Sequence, residues 1–128
     1  VLDLGDQGDE ETRRLGACQL LEEWIAAEHP DAAVVLVGDL NDKLDDAAAN
    51  NVFTPFLDPP ESYRFADMAV AMGPRSGWSW GPGESHLDHI LVTDELFAAF
   101  AAQLACQNDR SDHQGHDRRG TRQRPPPS

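Results

Sequence analysis

Cysteine is scarce: only Cys18 and Cys106 occur in 128 residues, with no Cys-x-x-Cys and no Cys/His ligand set around either. That excludes a disulfide framework and a cysteine-built zinc centre. Both thiols are read as free, and Cys18 falls on the apolar side of an expected helix, where a thiol behaves as a small hydrophobe. No stretch reaches the roughly 18 consecutive apolar residues that a membrane-spanning helix needs, and no secretory leader is visible. GxxxxGK[ST] is missing, which excludes a phosphate loop, and GxSxG is missing, which removes the nucleophile elbow of a serine hydrolase. Ser111 stands beside Asp112 and His113, but in a polar segment with no scaffold to preorganise a triad. Basic side chains are few: Lys and Arg total 10 against 23 Asp and Glu, a formal net charge of -13. Such a surface repels phosphate backbones and argues against strong metal-free binding to nucleic acid. It leaves a phosphate substrate open, because a divalent cation reverses the sign locally.

What is present suits one ordinary domain, with 40% hydrophobic residues and a mean hydropathy of -0.52. Residues 1–4 read as the end of a strand. Residues 11–28 carry Leu15, Cys18, Leu21, Trp24 and Ile25 at steps of three and four, which predicts a helix ended by His29-Pro30. Residues 33–37 (AVVLV) form a β-branched run, the pattern of a strand buried on both faces. A loop with a short helix is expected over 42–51, then a short apolar piece over 52–57; residues 63–72 fit strand or helix equally. Residues 73–85 read as a Gly/Pro/Ser loop holding Trp78 and Trp80, whose rings pack on the sheet rim or, in the alternative, stack on a base or sugar. HLDHILVT, 86–93, alternates as a strand, with Leu87, His89 and Leu91 on one face and Asp88, Ile90 and Val92 on the other. Residues 94–104 read as a helix. From 107 onward apolar periodicity stops, so residues 107–128 are expected to be a disordered arginine- and proline-rich tail. The expected division is thus 1–106 as folded domain and 107–128 as tail.

Three short patterns can carry chemistry. In VVLVGDLND an apolar strand delivers Gly38 and then Asp39 and Asn41, two apart and so directed alike if the chain stays extended. A carboxylate there can orient or deprotonate water and a carboxamide can donate to a phosphate oxygen; the bland alternative is an Asx turn at a strand end. In SHLDHILVTDEL, Asp88 interrupts an apolar strand, either partnered or facing solvent at an edge. His86 and His89 make an HxxH spacing, but on a strand the two rings point to opposite faces, which argues against a metal pair. Ser111-Asp112-His113 could supply a metal ligand and an imidazole, or arise by chance.

The order GDxN, SxLDHIL, SDH makes residues 11–113 resemble the endonuclease/exonuclease/phosphatase family, in its carboxyl-terminal part. The resemblance implies an α/β fold, a DNase I-like sandwich of two sheets flanked by helices, incomplete here, with the site at the sheet ends. It implies divalent-metal-dependent hydrolysis of a phosphodiester or phosphomonoester, with Mg2+ or Mn2+ as cofactor. The substrate would be nucleic acid, a nucleotide, an inositol phosphate or a phospholipid head group. Asp39 would activate water, Asn41 hold a phosphate oxygen, Asp112 bind metal, His113 stabilise the transition state and Asp88 fix the His113 tautomer, all of which in-line phosphoryl transfer can use.

Two departures are plain. The family's metal-binding Glu belongs to an amino-terminal half without counterpart in these 128 residues. The SDH pattern normally opens a last apolar strand, whereas 114–128 is polar, as a shifted reading frame would make it. The expectation is therefore a chain with little turnover alone; the alternative is an inactive remnant that binds a ligand or partner.

Overall fold

The computed structural model describes residues 7–116, with side chains for 9–106; the expected strand end at residues 1–4 lies outside them. The chain divides into two compact units, Val1–Phe97 and Ala98–Ser128.

In the first unit the order is α1 (Gln7–Glu28), β1 (Val35–Asp39), α2 (Thr54–Leu57), β2 (Tyr63–Phe65), α3 (Met68–Ala71) and β3 (Asp88–Thr93). Helix α1 has Asp9 and Glu10 in its first turn, where carboxylates meet the positive end of the helix dipole. Arg13 and Arg14 pair back to Asp9 and Glu10 at i,i+4, 3.1 and 3.3 Å. Leu15, Cys18, Leu21 and Ile25 face the core as expected. Trp24 does not: it is 51% exposed and meets His29 edge-on at 4.6 Å. The three-three-four spacing of Leu15, Cys18, Leu21 and Ile25 is enough to seat the helix, and Trp24 sits one residue off that line.

The three strands form one antiparallel sheet in the order β1-β3-β2. Val35 lies opposite Val92 and Asp39 opposite Asp88, while Tyr63 lies opposite Thr93. Thr93 extends the ladder: its hydroxyl donates to the Ala32 carbonyl at 3.0 Å and accepts the Val34 N–H at 3.1 Å. One face of the sheet builds the core, in which Leu91 and Phe65 meet Phe53, Phe56, Val52 and Ile25. Phe53 and Phe65 contact edge-to-face at 5.3 Å, as do Phe56 and Tyr63 at 5.2 Å.

The expectation that residues 33–37 are buried on both faces is corrected. β1 is an edge strand, and Val35 and Val37 are 55% and 68% exposed. A continuous β-branched run was read as a doubly covered strand, yet among the described residues the second face is covered at Val92 while Val35, Val37 and Ile90 stay exposed. No second sheet occurs among them either, so the two-sheet sandwich is not what these residues display: they form a helix-backed three-stranded sheet, mixed in helix and strand. Residues 63–72 are both things in turn, β2 and then α3. Residues 42–51 hold turns rather than a short helix, and the apolar piece that follows becomes α2.

After a 3-10 turn at Asp94–Leu96 comes α4 (Phe97–His116), which belongs to the second unit from Ala98 on. Helix therefore runs through residues 107–116, part of the segment expected to be a disordered tail. Alanine and leucine before residue 106 set the helix going, and glutamine, arginine and the rest tolerate its continuation without needing an apolar face.

Candidate active site

The site begins with the way β1 ends. Gly38 has φ 155°, a region that L side chains rarely adopt, and a Cβ there would meet nothing within 4 Å. Glycine is thus required by backbone conformation rather than by close approach. Asn41 follows with φ 55°, left-handed. Its N–H donates to Asp39 Oδ1 at 3.0 Å, closing an Asx turn. Two-residue alternation therefore does not carry Asn41 to the side of Asp39, because the strand stops at Asp39 and the chain turns left-handed. That corrects the reason given for expecting the two to converge.

Asp88, by contrast, comes directly opposite Asp39 in the β1–β3 register. Leu40 N–H donates to the Leu87 carbonyl at 2.9 Å, which holds the two strand ends together. Directly opposed residues share a face, with Cβ atoms about 5 Å apart. Both aspartates are exposed, and at their end the face is open, shared with exposed Val37 and Ile90, although Val92 further along it is buried. Asp88 is thus neither buried nor on an edge: it opens the central strand. Among the described residues neither carboxylate has a salt-bridge partner. Ser79 fixes the start of β3 from the other side, its Oγ accepting the N–H groups of Leu87 and Asp88, both at 3.1 Å. The tryptophans flank this anchor. Trp78 is partly buried under Arg75, whose guanidinium lies 5.4 Å from the ring centroid, and Trp80 is 54% exposed.

Directly beneath the strand ends lies a group that the sequence reading did not assemble. His89 is fully buried, and its Nδ1 lies 2.7 Å from Asp67 Oδ2 and its Nε2 2.8 Å from the Asp42 carbonyl. His86 Nε2 lies 3.0 Å from the same Asp67 oxygen, and Ile90 N–H donates to Asp67 Oδ1 at 2.8 Å. The expected opposition of His86 and His89 fails because β3 begins only at Asp88; the chain bends before it and the rings approach to 5.2 Å. One signal was available: His89 was placed on the same face as Leu91, and a histidine on a buried face must find polar partners.

The protonation of this group follows from its partners. Both acceptors of His89 are oxygens without a proton to give, so both ring nitrogens carry protons. Burial by itself would lower the His89 pKa, but the Asp67 hydrogen bond, the Asp42 carbonyl and the negative charge of Asp67 outweigh it, and the pKa is raised. Burial acts to raise the Asp67 pKa, yet the donors from His89 and Ile90 outweigh it and hold the carboxyl below the ordinary carboxylate value. The two shifts agree on a buried ion pair.

Asp67, His86 and His89 place their ligand atoms within 4.8 Å of one another, a spacing that could suit a metal. The hydrogen bonds argue otherwise. Ser79 N–H donates to His86 Nδ1 at 3.3 Å, which puts the remaining proton on Nε2, toward Asp67. No ring nitrogen keeps a lone pair aimed at the centre. The open carboxylates of Asp39 and Asp88 are the better donors for a hard cation such as Mg2+, which takes oxygen ligands.

Asp112 and His113 fall in the last turns of α4, in the second unit, with side chains outside the described residues. They ride on a helix rather than opening a strand. Cys18 is a free thiol pushed up to about 11 by burial and by the nearby Asp42 charge, which makes it unreactive; Cys106 is also free.

A sheet end bearing two exposed, opposed carboxylates, without a salt-bridge partner among the described residues, is of the class able to hold a cation or order water. Residues 9–113 match the model of the endonuclease/exonuclease/phosphatase family. The chain belongs to that family, whose members are hydrolases of nuclease and phosphatase type. No curated protein and no solved structure matches it. No helix among the described residues is long and apolar enough to cross a membrane.

Proposed function

We propose that the chain supplies the Asp39 and Asp88 side of a divalent-metal-dependent phosphoesterase site acting on a phosphodiester or phosphomonoester. The observation that carries this reading is the register of β1 and β3, which sets the two exposed carboxylates face to face on the open side of the sheet. Asp39 orients the attacking water. Asp88 is suited to orient an imidazole, the role that the family pattern gives to His113, as the same pattern gives Asp112 the role of a metal carboxylate. Mg2+ or Mn2+, when bound, neutralises charge on the phosphate and lowers the pKa of water. With a net charge of -13 the protein depends on that cation to admit an anionic substrate.

A second reading, ligand binding without turnover, has one observation in its favour. Asn41 is left-handed, so its carboxamide is not directed by strand alternation to the side of Asp39. One experiment separates the two. Mn2+ should broaden the backbone amide signals of Asp39 and Asp88, and the effect should vanish in Asp39→Ala and Asp88→Ala. Cleavage of bis(p-nitrophenyl) phosphate above a metal-free control, lost in the same variants, selects the phosphoesterase. Broadening without cleavage selects the binding reading. Broadening centred elsewhere, or none, would falsify both.

A further inference from the structure

We infer that His89 is the positioning residue of this site: a buried imidazole whose two ring nitrogens tie the Asp67 carboxylate to the Asp42 carbonyl and so hold the segment after β1 against the start of β3. The candidate carboxylates lie on the open face of the sheet, while the tie runs under it on the core face. It joins three segments remote in sequence, since Asp67 follows β2, Asp42 follows β1 and His89 is on β3. Asp39 is the last residue of β1, and just beyond it the chain leaves the ladder through a left-handed asparagine. The Asp42 carbonyl is where the turn meets the core, and His89 Nε2 is the donor it meets at 2.8 Å.

The surroundings fix the ring further. Phe53 and Phe65 contact it edge-on at 5.3 and 5.9 Å, which sets its plane. The charged and titratable groups around it are Asp67 and His86 on one side, Asp42 behind its own carbonyl with Arg14 3.4 Å from its carboxylate, and Asp88, next in the chain but on the other face. Asp67 is thus the one carboxylate at contact distance from the ring, 2.7 Å from Nδ1. The inference rests on the phosphoesterase reading only for the use to which Asp39 is put; the tie itself is a matter of the fold.

The test needs neither metal nor substrate, so its failure and the failure of the phosphoesterase reading are separate results. The test is made on the full 128-residue chain by amide hydrogen exchange at one fixed pH. In His89→Gln, whose single amide nitrogen cannot reach both acceptors, amide exchange over residues 38–43 should rise roughly tenfold relative to the carboxyl end of α1. An equal rise in both places marks a role in stability alone and overturns the inference. If that variant does not fold, Asp67→Asn supplies the check. With the ring held from one side only, exchange over residues 38–43 should again rise relative to the carboxyl end of α1; unchanged exchange there overturns the inference.

Discussion

Asp67, which follows β2, and Asp88, which opens β3, are opposites. Asp67 is buried, and its two oxygens take three N–H groups, from His86, His89 and Ile90. Asp88 is exposed and, among the described residues, has no salt-bridge partner, with Asp39 directly across from it. A carboxylate whose lone pairs are filled by the protein holds the protein together. One left open can take a cation or a water. The difference is made by the two faces of one strand, since His89 and Asp88 are neighbours in sequence and point opposite ways.

The largest expected effect breaks the filled side. His89→Ala removes both donors and leaves Asp67 buried without its counter-charge, which costs about 3–5 kcal/mol when a buried pair loses one partner. Asp88→Ala, exposed, should change stability by no more than about 0.5 kcal/mol. Urea denaturation of the two variants beside the parent reads the contrast directly. Comparable losses in both would erase the distinction drawn between the faces.

The pH dependence sharpens it. His89 has its pKa raised above the ordinary histidine value of 6.5, so its contribution is complete below 6.5 and is lost as pH climbs through the raised value. Asp67 has its pKa lowered below 3.8, so its contribution is complete above 3.8 and is lost as pH falls through the lowered value. Asp42 works against them at the acid end: burial raises its pKa, so folding gains from its protonation and loses that gain as pH rises through the raised value. The pair is at full strength between about 4 and 6.5. Thermal unfolding followed across pH should show the alkaline loss disappear in Asp67→Asn and persist in Asp88→Asn.

The sequence made the open side easier to read than the filled side. GDLND and SHLDHIL are local patterns, and each marks a strand end with an acid on it, so Asp39 and Asp88 could be picked out singly. Their register across β1 and β3 could not, because pairing depends on contacts between segments about fifty residues apart. Asp67 lay in a stretch that fitted strand or helix equally, and its partners His86 and His89 come from beyond the tryptophan loop; nothing local joins them. The helix α1 was legible from its apolar steps, though Trp24 was misplaced because its neighbours suffice to seat the helix. The valines of β1 misled for a physical reason: residue choice records what a strand is suited to cover, and two of these valines are uncovered here. The extension of α4 past residue 106 left no mark, since a helix with few apolar side chains has no periodicity to read.

The smallest expected effect tests the open side from within. Asp39 and Asp88 oppose each other across an antiparallel pair, and like charges so placed repel, by about 0.2–1 kcal/mol on the scale of cross-strand pairs. Their exposure puts the true figure at the low end, because water and salt screen them. Asp88→Asn should therefore stabilise the parent slightly in low salt, and the gain should fade by about 0.15 M salt or on adding Mg2+, which relieves the same repulsion by binding between the carboxylates. Asp67→Asn provides the reverse control: it should destabilise at every salt concentration, because its partners are buried and unscreened. Chemical denaturation of both variants, with and without Mg2+, decides the matter. If Asp88→Asn is stabilising and Mg2+ leaves the parent unchanged, the carboxylates repel without sharing a cation, and the open face is a strained strand end rather than a metal site. If Mg2+ removes the difference between parent and variant, the same two oxygens that repel each other in the bare protein are the ones that hold the ion.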